Sequence, residues 1–81
     1  MVNFNEINVG DIVVTSCDSG EVMVGYVVSK EEITCAGKVV RVKFGFEKKP
    51  YIIWVEDYLA DENHAVYNTH DIIRVVGSIF D

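Results

Sequence analysis

Hydrophobic positions along this chain come in short runs with a period of two, broken by glycine, aspartate, asparagine or lysine, and helical spacing is hard to find. That is the pattern of strands and tight turns. Asp11 to Thr15 (DIVVT) predicts a first strand, entered through Val9-Gly10, and Glu21 to Lys30 (EVMVGYVVSK) a second, with Cys17-Asp18-Ser19-Gly20 as the turn between them. Gly25 interrupts the second run and predicts a bulge or bend. Lys38 to Phe44 (KVVRVKF) alternates cleanly, with Val40, Val42 and Phe44 on one face and Val39, Arg41 and Lys43 on the other, as a half-buried antiparallel strand should. After a polar turn from Gly45 to Pro50 comes Tyr51 to Tyr58 (YIIWVEDY), apolar on both faces for most of its length. Such a strand is buried on both sides or exposes a functional apolar patch.

Leu59 to Asn63 reads as a polar connection, and Ala65 to Tyr67 as a brief return pairing. Asn68-Thr69-His70-Asp71 predicts one 3₁₀ turn, because Asn, Thr and Asp side chains bond neighbouring backbone amides. Ile72 to Val76 (IIRVV) supplies the closing strand, with Ile79 and Phe80 placed against the mouth of the fold. The expectation is an all-β fold of five strands, one domain spanning residues 1–81.

Four stretches carry a likeness to a known architecture: Val9 to Val14, Gly25 to Val28, Val39 to Phe44 and Asn68 to Val76. Together they resemble the SH3-like barrel superfamily, in its KOW-like and Tudor-like branches. The resemblance implies a small five-stranded barrel with one short 3₁₀ turn before the last strand. It also implies nucleic-acid contact on the KOW-like side and an aromatic cage for a cationic side chain on the Tudor-like side.

Composition narrows these readings. The chain has 81 residues, 49% of them hydrophobic, with six glycines and one proline, which suits a folded domain with a single core. Its formal net charge is -6, so the field of the whole molecule disfavours phosphate backbones. Met1 to Gly10 lacks the basic flank and apolar centre of a secretory signal, and no apolar run approaches the roughly 18 residues of a membrane span. The expected location is the cytoplasm, or a host cytoplasm for a viral (phage) or mobile-element protein, with no membrane association. Cys17 and Cys35 are then reduced thiols acting as small apolar side chains.

Two groups of residues carry candidate chemistry. Tyr51, Trp54, Tyr58 and Tyr67 stand near Glu56, Asp57 and Asp61, and rings beside carboxylates suit a cationic or protein partner. Trp54, Tyr58, Glu56, Asp57 and Tyr67 are therefore candidate partner contacts, against the plainer reading that Trp54 and Tyr58 complete a small core or cover an open edge. Strict alternation puts Trp54, Glu56 and Tyr58 on one face and Tyr51 and Asp57 on the other. Between Lys38 and Lys49 lie Lys38, Arg41, Lys43, Lys48 and Lys49 against one acid, Glu47, with Phe46 at the hairpin tip. That island suits phosphates or an acidic partner; the plainer reading is a solvated face whose cations pair with Glu56 or other acids across the sheet.

Other chemistry is poorly supplied. Cys17, Cys35, His64 and His70 include no Cys-x-x-Cys, so no metal site or cofactor is expected. No serine or cysteine sits in a nucleophile elbow, and the neighbouring carboxylates Glu31-Glu32 and Glu56-Asp57 point opposite ways in a strand. The expected function is a small non-enzymatic protein-binding module or inhibitor. The alternatives are a KOW-like nucleic-acid binder acting through the Lys38 to Lys49 hairpin, and a structural subunit that self-assembles through an edge strand, so that the chain is a monomer or a weak homo-oligomer.

Overall fold

A computed structural model describes residues 2–17, 19–45, 47–58 and 70–80, and these form an all-β fold. One 3₁₀ turn (Phe4–Glu6) precedes strands β1 (Asp11–Cys17), β2 (Val22–Ile33), β3 (Gly37–Phe44), β4 (Tyr51–Asp57) and β5 (His70–Ser78). The strands make one antiparallel sheet in the order β4-β3-β2-β1-β5, so β1 pairs with both β2 and β5. The sheet curls around one buried layer formed by Ile7, Val13, Val27, Val40, Val42, Phe44, Ile53 and Ile72. Among the described residues no ladder joins β4 to β5, and the curled sheet stops short of a closed barrel. Rings bridge the gap at one end. The centroids of Phe44, Tyr51 and His70 lie 5.0 to 5.3 Å apart, at separations typical of aromatic pairs.

The 3₁₀ turn among the described residues stands near the N-terminus, whereas the sequence predicts one before the last strand. Glu6 N donates to Asn3 O (2.9 Å) and Ile7 N to Phe4 O (3.1 Å), which drops the fully buried Ile7 into the core. The ammonium groups of Lys30 and Lys38 lie 4.3 and 5.6 Å from the centroid of the Phe4 ring. Of the segment expected to turn before the last strand, His70 and Asp71 already belong to β5, paired with Cys17 and Ser16. The ladder offers their backbone groups partners that a lone turn would have to find locally. Asn68 and Thr69, with Leu59 to Asn63 and Ala65 to Tyr67, lie outside the described residues.

Gly25 serves close packing rather than a bulge. A Cβ there would stand 2.7 Å from Val42 Cγ1, 2.8 Å from Lys43 O and 2.9 Å from Phe44 Cδ1. The register shift of β2 falls later, between Val27 and Ser29. At the C-terminal end Ile79 N donates to Gly10 O (2.8 Å) and the Phe80 ring lies on Gly10, whose φ of +92° a side chain would strain. Phe80 nevertheless stays 76% exposed, so the tail covers the Val9-Gly10 turn and not the core.

Candidate functional site

The residues of β4 separate. Trp54 stands directly opposite the buried Val39, and its Cζ3 would lie 2.9 Å from a Cβ on Gly37, so the indole rests on the outer side of the sheet. Between Lys38 and Val39 the pairing skips Val55, and this shift reverses the alternation beyond it. Glu56 therefore faces the side of Ile53 and pairs with Lys38 at 3.0 Å, while Trp54 faces the other. Tyr58 is 54% exposed and its hydroxyl donates to Glu56 (3.3 Å). Tyr51 packs inward on Phe44 and His70, on the opposite side from Trp54. Asp57 pairs with Gly37, and Tyr67 lies outside the described residues. No aromatic cage forms among the described residues. Where β4 and β5 do not pair, a small solvent-open cleft is lined by Val2, Ile53, Trp54, Val55, Asp71 and Ile72.

The basic island also divides. Lys38 is tied to Glu56, and Arg41 bonds Glu31 (3.1 Å) and Ser29 (3.5 Å) across the hairpin. Both follow the plainer reading of a paired strand face. Lys43, Lys48 and Lys49 make no ion pair among the described residues, and Lys48 and Lys49 are exposed in the turn before β4.

A third surface lies on the outer face of β2, β1 and β5. Residues directly opposite one another in antiparallel strands project to the same face. One row therefore runs Lys43, Tyr26, Ile12, Gly77; the next Val24, Val14, Arg74; a third Val22, Ser16, Asp71. The other face of the same strands carries Val13, Thr15, Gly25 and Val27, all buried. Val22 and Val24 are 59% and 58% exposed, and Ile73 and Val76, the extra residues at the two register shifts of β5, 44% and 50%. Singly exposed aliphatics are ordinary, but a contiguous group on one sheet face of so small a domain makes this face a candidate contact surface. The signal was present in the sequence, since DIVVT and EVMVGYVV are as apolar on both faces as YIIWV. Arg74 and Tyr26 joined it only through register.

The first turn holds a distinct thiol. Cys17 Sγ lies 3.0 Å from Ser19 Oγ, and that hydrogen bond holds the Cys17 pKa below the ordinary thiol value. Among the described residues no three His, Cys, Asp or Glu side chains gather as metal ligands, and no helix is long and apolar enough to cross a membrane. Comparison with protein-family models, curated proteins and solved structures finds no match to this chain.

Proposed function

We propose that this chain is a non-enzymatic protein-binding module of SH3-like architecture, and that its main contact surface is the outer face of β2, β1 and β5. One observation carries this reading: Val22 and Val24 stand more than half exposed beside Ile12 and Val14, on the back of a sheet whose other face already holds the core. A domain of this size gains nothing for its own stability from aliphatic side chains left in water, whereas a partner gains roughly 25 cal/mol per Å² of such surface it covers. The test is the double variant Val22→Ser/Val24→Ser. Its thermal midpoint should stay within a few degrees of the parent's while a protein retained from native extract by the parent is lost. Equal retention by both proteins, or none by the parent, removes the reading.

The cleft beside Trp54 supports a second reading, in which β4 receives the partner. It is favoured by a hollow that Trp54 lines together with Ile53 and Val55. Trp54→Ala separates the two, since it leaves the outer face of β1 and β2 intact. Nucleic-acid contact through the hairpin is the weaker alternative, because Lys38 and Arg41 are already neutralised by Glu56 and Glu31.

A further inference from the structure

We infer that the outer face of β2, β1 and β5 is shaped for one kind of partner, an amphipathic helix whose apolar stripe is bordered by carboxylates. This rests on the proposed docking face and adds what should cover it. The aliphatic floor, Ile12, Val14 and Val24 with Tyr26, lies between two cations that stand on the same face, Lys43 on β3 and Arg74 on β5. Neither cation makes an ion pair among the described residues, whereas Lys38 and Arg41 each have an acid as partner. In a protein of net charge -6 the first two rows of the face thus carry a cation at each margin, while the carboxylate of Asp71 lies in the third row, on β5 beyond Arg74. Three strand spacings separate β3 from β5, which puts the two margins roughly 14 Å apart across the strands, with Lys43 and Arg74 in neighbouring rows. An α-helix with its side chains is about 10 to 12 Å across, so it fits between them with acidic residues reaching either margin.

Charge and surface type decide against other occupants. A nucleic-acid strand needs stacking platforms, and among the described residues of these rows Tyr26 is the one ring. A helix laid on an antiparallel sheet buries aliphatic floor against aliphatic stripe, one of the recurring ways in which a sheet face is covered.

Two synthetic helices with the same leucine stripe, one bordered by Glu and one by Lys, titrated into ¹⁵N-labelled full chain at low salt, test this directly. The Glu-bordered helix should shift the amides of Ile12, Val14, Val24 and Tyr26, bind about ten-fold tighter than the other, and lose that advantage as salt rises. The double variant Lys43→Glu/Arg74→Glu should reverse the preference; should it fail to fold, Lys43→Gln/Arg74→Gln should abolish it. Equal binding of both helices overturns the acidic partner but leaves the docking face standing. Shifts confined to other strands overturn both. Concentration-dependent shifts of the same amides without peptide would assign the face to a second copy, and salt-sensitive shifts with a single-stranded oligonucleotide would assign it to nucleic acid. Either result overturns the inference.

Discussion

Cys17 and His70 face each other across β1 and β5, yet the structure gives them different characters. Cys17 is reachable, and the Ser19 hydroxyl stabilises its thiolate, so in a Cys35→Ser background its alkylation should follow pH with a midpoint below that of an ordinary thiol. Ser19→Ala should move that midpoint upward, and an unchanged profile would show that the hydrogen bond is without chemical effect. His70 is buried between Phe44 and Tyr51, and its Nδ1 has no hydrogen-bond partner among the described residues. A ring without that nitrogen avoids the desolvation cost, so His70→Phe should raise unfolding stability by about 1 kcal/mol, measured by denaturant titration. Gly25 is decided by space. Gly25→Ala puts a methyl group under 3 Å from Val42 and Phe44 and should cost about 1 to 3 kcal/mol in the same measurement.

At the scale of elements, register converts alternation into sites. The period of β3 is visible in KVVRVKF, and Val40, Val42 and Phe44 are the buried face it predicts. In β4 the same arithmetic breaks at Val55, because one extra residue turns Glu56 away from Trp54 and towards Lys38. No local feature of YIIWVED announces that bulge; it follows from how β4 meets β3. The N-terminal segment shows a similar limit. Ile7 lies among polar residues in the sequence, in NFNEINVG, but the short turn before it places the side chain at zero exposure in the core. Ile7→Ala should therefore cost about 2 to 4 kcal/mol, as large-to-small changes in a packed core do, and a loss under 1 kcal/mol would show that the segment is only loosely seated.

For the molecule as a whole, the governing fact is that its first and last strands pair while β4 and β5 do not. The β1–β5 ladder joins residues 53 apart in the chain, Cys17 and His70, at one end and 67 apart, Asp11 and Ser78, at the other. Such non-local pairing slows folding, and relaxation followed by the fluorescence of the single tryptophan, Trp54, should fall in the millisecond to second range. Microsecond relaxation would point to a fold held by local contacts. Charge belongs to the same scale. Acids neutralise Lys38 and Arg41 in place, and two of the strand cations without an ion pair among the described residues, Lys43 and Arg74, share a face because the sheet sets β3 and β5 on either side of β2 and β1.

The sequence alone determined the class of this fold, five strands, and the buried side of β3, because side-chain alternation is a local property of an extended backbone and burial follows hydrophobicity. It also made the basic hairpin and the aromatic strand legible as residues. Which of those residues share a face was decided by tertiary pairing, through three strands with register shifts that no dipeptide or turn signal marks. The outer face of β2, β1 and β5 shows why. Its aliphatic floor is written in two separate runs and its two cations in two others, and only hydrogen bonding between strands distant in the chain sets them side by side.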